Sequence, residues 1–121
     1  MARPKKPAAR PPFVVRWHPE AELERDRIRD ELERVAISHA EEKLRVIGRL
    51  MSPHSSAVVG KGKGLRELRP RGGDSRWRPI YKQVGTKTFV ILAVAPEAQV
   101  DKAGFDQAVD DALKRLAQLE T

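Results

Sequence analysis

Arg66, Arg69, Arg71, Arg76 and Arg78 crowd into one stretch of the chain, with Lys61 and Lys63 leading into it and Lys82 just beyond. Cations brought together by neighbouring strands are unfavourable unless an anion compensates them, and the planar guanidinium fork matches a nucleic-acid phosphate. The chemistry such a cluster can promote without metal or cofactor is cleavage of RNA through its own 2′-hydroxyl. The substrate then brings the nucleophile. The protein has to align that hydroxyl with the phosphorus, neutralise charge building on the phosphate oxygens and move protons. Arginine serves the second task and is a poor base. A lysine crowded by cations has a lowered pKa, which nominates Lys61 or Lys63 as the base. Of the histidines, His18 sits at a strand-to-helix junction and His39 at a helix start, both structural positions. His54, in the loop before the basic strands, is the one placed to help chemistry. There is no HExxH pair, no cysteine, no converging carboxylate set and no serine nucleophile motif, so neither a metal nor a cofactor is expected.

The 121 residues suit one domain with one core, and 40% hydrophobic with 34% charged residues is a globular rather than a disordered balance. A net charge of +7 points to polyanionic partners. Without cysteine a reducing compartment is permitted, and no apolar run approaches a membrane span or the middle of a secretory signal. A soluble cytoplasmic protein is the expectation.

The elements that must position the arginines lie in 65–95, which has the pattern of three consecutive β-strands. The first run, 65–70, ends in Pro70-Arg71-Gly72-Gly73-Asp74-Ser75, a cluster of turn formers. In the second, 77–84, Arg78, Ile80, Lys82 and Val84 alternate with Trp77, Pro79, Tyr81 and Gln83. The third, 88–95, is apolar on both faces and reads as the core strand. Pro79 removes a ladder hydrogen bond and predicts a bulge or an unpaired edge.

Residues 1–12 form a basic, proline-rich tail with no means of burying a core, so disorder is expected there and a single domain over 13–121. A short fourth strand, 13–17, is followed by helix from Pro19, with Leu23, Ile28, Leu32 and Val35 inward. Ser38-His39-Ala40-Glu41 has capping-box spacing, so the helix is expected to break there. A second helix then carries Ala40, Leu44, Ile47 and Met51 inward; one uninterrupted helix over 20–51 is the alternative. The segment 53–64 reads as a loop whose Gly60-Lys61-Gly62-Lys63-Gly64 run is either a phosphate cradle or a mobile connector. A final helix over 101–119 packs Phe105, Val109, Ala112, Leu113 and Leu116 on one face.

The order of elements, and Leu65-Arg66-Glu67-Leu68-Arg69 followed by Trp77-Arg78-Pro79-Ile80-Tyr81 and a hydrophobic strand, resemble the RelE/ParE superfamily of bacterial toxins, most closely its HigB-like, phage-derived branch. The likeness covers 13–119 and is most specific over 65–81. It implies an α+β microbial-ribonuclease fold: a twisted, mainly antiparallel four-stranded sheet, an N-terminal helical hairpin covering one face, and a C-terminal helix. The other face would cut messenger RNA on the ribosome. It also implies a type II toxin–antitoxin system with a cognate antitoxin as partner. Matched residue by residue, Arg78 corresponds to the arginine that stabilises the phosphate and Arg69 to a basic residue acting as base or charge stabiliser. Lys63 and Lys61 fall near the family's basic loop. Lys61, Arg66, Arg71, Arg76, His54 and Lys82 would contact RNA. The sequence departs from the pattern after the last strand, where Pro96-Glu97-Ala98-Gln99 replaces basic or histidine residues, and Glu67 stands where some members carry lysine. Two other functions are compatible with the same residues, a ParE-like inhibitor of DNA gyrase and a basic nucleic-acid-binding protein without catalysis.

Overall fold

The computed structural model describes residues 11–62 and 64–119; residues 1–10, most of the expected tail, lie outside the described part. The elements run β1 (Val14–Trp17), α1 (Pro19–Asp26), α2 (Glu31–Ile47), β2 (Ser55–Ala57), β3 (Arg66–Leu68), β4 (Trp77–Gln83), β5 (Thr88–Pro96) and α3 (Lys102–Leu119). The class is α+β. The sheet, however, has five strands in the order β1-β5-β4-β3-β2 rather than four, and it is mixed. β1 runs parallel to β5, whereas every other pair is antiparallel. The additional strand, β2, comes from the segment expected to be loop: Ser55 to Ala57 pair with Leu68 to Arg66. A three-residue strand of small side chains carries too little apolar alternation to announce itself in the sequence.

The helical break also falls elsewhere. α1 ends at Asp26, and Asp30 caps α2 by accepting from the Leu32 backbone N–H at 2.9 Å. Arg34 donates to the Ile28 carbonyl between the two helices, and Ile28 itself is buried against Ile37 and Val94. Ser38-His39-Ala40-Glu41 lies inside α2. Asp30-Glu31-Leu32-Glu33 has the same capping-box spacing, so the motif by itself does not choose between the two places. Resetting the helical phase at 27–30 changes which side chains point inward. Ala21, Ala36, Ile37, Ala40 and Leu44 are buried, whereas Leu23, Leu32, Val35, Ile47 and Met51 are exposed.

Helices lie on both faces of the sheet, not on one. Ala21, Ala40 and Leu44 pack with Val15, Leu68, Tyr81, Phe89 and Ile91 on the first face. On the second, Ala108, Val109, Ala112 and Leu116 of α3 pack with Leu65, Ile80, Val90 and Leu92, with Phe105 and Leu113 alongside as the periodicity predicts. β5 is therefore buried from both sides, as expected of an all-apolar strand. A register shift at Ile80/Tyr81 follows directly on Pro79, the residue expected to perturb the ladder. The three layers are tied through Glu24 of α1. Its carboxylate accepts both Arg115 Nη atoms of α3, at 3.0 and 2.9 Å, and the Val94 N–H of β5 at 3.0 Å. No helix among the described residues is long and apolar enough to cross a membrane.

Candidate functional site

Cross-strand partners share a face, so the pairing of Glu67 with Ile80 puts Glu67 on the α3 side, and Arg66, opposite Tyr81, lies on the α1/α2 side. Arg69 and Arg78 reach the α3 side with Glu67. There they line one pocket of about 120 Å³ with Gly73, Glu97, Ala98 and Gln99, beyond the N-terminus of α3.

The turn between β3 and β4 builds this pocket. Pro70–Gly73 forms a short 3-10 turn in which Arg71 (φ 56°) and Gly72 (φ 64°) take left-handed conformations. Gly73 follows at φ 102°, and a Cβ on it would stand 2.6 Å from Arg69 Nη2. Glycine is thus required twice over, by backbone conformation and by the guanidinium lying against it. Inside the turn the Arg78 side chain is buried. Its Nη1 donates to the Ser75 and Trp77 carbonyls, and its Nη2 donates to the Gly73 carbonyl at 2.9 Å and to Glu97 Oε2 at 3.0 Å. Burial pushes the Arg78 pKa below the usual guanidinium range. Arg69 adds to that, and Glu67, Glu97 and Glu33 oppose it.

Arg69 is the more open of the pair, with a third of its side chain exposed. Its Nη1 donates to Glu67 Oε1 at 3.2 Å, and the same oxygen accepts from Ser56 Oγ at 2.9 Å. The pocket therefore holds two arginines against two carboxylates, a nearly neutral set. The turn is anchored from α2 by buried Glu33, which accepts from Ser75 Oγ and, at 2.8 Å, from Arg71 Nη2.

Of the residues nominated in the sequence, Arg69 and Arg78 are brought together, and the others are spread around them. Arg66 faces away, donating to Ser55 Oγ and to the Leu50 carbonyl, both at 3.1 Å. Lys61 is held by Asp110 of α3 at 2.7 Å, which raises its pKa. Lys82 lies toward the far end of β4, between two surface grooves, and Arg76 is exposed beside the pocket. His54 stands with Arg69 and Arg71 in a separate groove against α2. Lys63 lies outside the described residues. Reasoning from the sequence passed over Glu33 and Ser75 and treated Glu67 and Glu97 as departures from a pattern. The signal available for the two site glutamates was register: Arg69 follows Glu67 by two residues at the end of β3, and Glu97 follows β5, the strand antiparallel to that of Arg78.

This arrangement can clamp an anion with arginine and can accept a proton on a carboxylate next to that clamp. No protein-family model matches the chain, and a comparison with curated proteins returned no match.

Proposed function

We propose that this chain is a metal-independent endoribonuclease on a RelE-like microbial-ribonuclease fold. It would act as the toxin of a type II toxin–antitoxin pair that cleaves messenger RNA on the ribosome, with a cognate antitoxin covering the site. The observation that carries the reading is the convergence of Arg69 and Arg78 with Glu67 and Glu97 in one open pocket. The likeness of 65–81 to RelE/ParE toxins supports it as well.

In this reading Arg69, partly exposed and free to exchange Glu67 for a phosphate, holds the scissile group and stabilises its developing charge. Glu67 takes the 2′-hydroxyl proton as the 2′-oxygen bonds to phosphorus. The P–O5′ bond breaks, the leaving oxygen is protonated by solvent, and a 2′,3′-cyclic phosphate remains. Arg78 is a positioning residue: its donors are spent on the turn that carries Gly73 and Ser75. The test is primer extension on a reporter messenger RNA in a translating extract. Cuts made by the wild type are expected to vanish with Arg69→Ala and with Glu67→Gln. A wild type that makes no cuts overturns the reading.

One observation favours a second reading, a protein that binds nucleic acid without cutting it. Arg69, Arg71, Arg78 and Lys61 each already face a carboxylate. Such a protein would bind RNA through its remaining free cations and leave no cuts. A gyrase inhibitor, the remaining alternative on this fold, would block supercoiling and leave messenger RNA intact.

A further inference from the structure

Arg69 lines a second cavity besides the pocket it shares with Arg78. One wall of this groove is a stripe of α2, Ala36, His39, Ala40 and Lys43, at the i, i+3, i+4, i+7 spacing that places side chains on one helix face. The opposite wall is Leu50, His54 and the Arg69–Arg71 segment, and the enclosed volume is about 220 Å³. The floor of Ala36, Ala40, Leu50 and Pro70 is apolar, and the rim is cationic or imidazole. Among the described residues the side chains of His39, Lys43 and His54 make no hydrogen bond or ion pair. Two carboxylates touch the rim and both are engaged, Glu33 by Arg71 and Ser75 and Glu67 by Arg69 and Ser56. A groove with an apolar floor, two imidazole rings, the unpaired cation Lys43 and the exchangeable guanidinium of Arg69 suits an anionic, planar occupant.

We infer that this groove binds the nucleotide adjoining the scissile phosphate, its base against the Ala36/Ala40 floor between His39 and His54, and its phosphate toward Lys43 and Arg69. This deepens the nuclease reading and rests on it for the identity of the adjoining site. Unpaired bases are recognised by stacking on histidine and guanidinium planes, and their phosphates by lysine and arginine, which are the groups present here. An acidic peptide would use the cations alone and leave the apolar floor and the imidazoles without a role. Arg69, common to both cavities, fixes the polarity: one phosphate at the shared guanidinium places the reacting sugar on the Glu67 side and the neighbouring base on the α2 side.

The experiment is fluorescence anisotropy with a labelled 2′-O-methyl RNA octamer, which cannot be cut, against an abasic octamer with the same phosphates. The wild type is expected to bind the base-bearing strand about tenfold tighter, the effect of one stacked base. His39→Ala/His54→Ala should abolish that preference. Lys43→Gln, on an exposed position that the fold does not need, should flatten the salt dependence by about 0.7 in log–log slope, the value for one single-strand phosphate contact. Lys114→Gln, on the outer side of α3, serves as control and should change neither. Equal affinity for the two octamers overturns the inference, as does a preference that survives the histidine substitutions. It is also overturned if the groove variants lose affinity for polyglutamate and not for RNA. Base preference lost in the variants, from a protein that makes no cuts on ribosomes, would sustain the groove and overturn the nuclease reading alone.

Discussion

Glu97 Oε2 accepts from Arg78 Nη2 at 3.0 Å, which fixes a carboxylate from the end of the core strand onto the arginine of its antiparallel neighbour. With three backbone carbonyls taking the rest of the Arg78 hydrogen bonds, the guanidinium belongs to the scaffold of the turn as much as to the pocket.

Arg78→Ala is therefore expected to cost stability before it costs chemistry. It would strand the Gly73, Ser75 and Trp77 carbonyls and leave Glu97 without its partner. Removing one member of a buried ion pair destabilises by about 3–5 kcal/mol. Arg69→Ala, at a partly exposed pair, should cost less than about 1 kcal/mol and yet lower cleavage by about a hundredfold or more, the usual loss for one preorganised donor. Urea unfolding of both variants, alongside primer extension, checks this. Equal destabilisation by the two substitutions would contradict the division of roles.

Glu97→Gln keeps the size of the side chain and removes one of the two negative charges in the pocket that repel a phosphate held at Arg69. RNA affinity should rise and its salt dependence steepen, because the pocket that meets the phosphate becomes one charge more positive. Titrations of an uncleavable RNA at several salt concentrations measure both quantities. A loss of affinity would mean that Glu97 orients the site instead of masking it.

The fold class, the buried nature of β5 and the inward face of α3 were legible in the sequence because each rests on a long periodic run: Thr88 to Ala95 apolar throughout, and Val109, Ala112 and Leu116 at helical spacing. What was not legible depended on contacts between distant segments. Two capping boxes of identical spacing compete at Asp30 and Ser38, and the choice is made by burial of Ile28 against Val94. β2 exists because the Ser55–Ala57 backbone pairs with β3, not because its side chains call for a strand. At the site, the density of arginine located the right turn. The charge state of the pocket depends on Glu67, Glu97 and Glu33, which come from three separate elements or their flanks, and composition cannot tell a paired arginine from a free one.

Glu33 supports the turn from a buried position on α2, so Glu33→Ala should leave the Ser75 hydroxyl without its acceptor and Arg71 without its partner. Unsatisfied buried polar groups cost about 1–3 kcal/mol each. Beyond the shift in the unfolding midpoint, cleavage should fall although Glu33 touches no substrate, because the 70–75 turn carries the pocket wall. Glu33→Gln, which can still accept from Ser75, should recover part of both losses. Failure of glutamine to recover either would remove the hydrogen bond from the explanation.

Lys61 and Asp110 form an exposed pair at 2.7 Å in which the hydrogen bond that Lys61 donates to the Asp110 carboxylate raises the lysine pKa above its ordinary value. A base whose folded pKa is raised stabilises the fold fully below its unfolded pKa, and the contribution disappears as pH climbs through the folded value. Thermal unfolding of wild type and Asp110→Asn should thus differ by a constant amount from neutral pH up to the unfolded lysine pKa and converge at more alkaline pH. At neutral pH the same substitution releases Lys61 to face RNA, which should add to the salt dependence of binding. A difference in stability that grows with alkaline pH would mean that Asp110 acts on something other than Lys61.

Gly73→Ala tests the site at its tightest point. The backbone there has φ 102°, which a residue with a Cβ adopts only under strain, and the new methyl would lie 2.6 Å from Arg69 Nη2. Either the turn shifts, which costs the carbonyl of residue 73 its bond from Arg78 Nη2, or Arg69 swings away from Glu67. Both outcomes separate the two guanidinium groups. Cleavage should fall at least as far as in Arg69→Ala, with a stability loss on the order of 1–2 kcal/mol from the forced left-handed backbone. Arg69→Ala/Gly73→Ala should show the same cleavage defect as the more severe single variant, since both act on one group. Fully additive losses in the double variant would place the role of Gly73 outside its contact with Arg69.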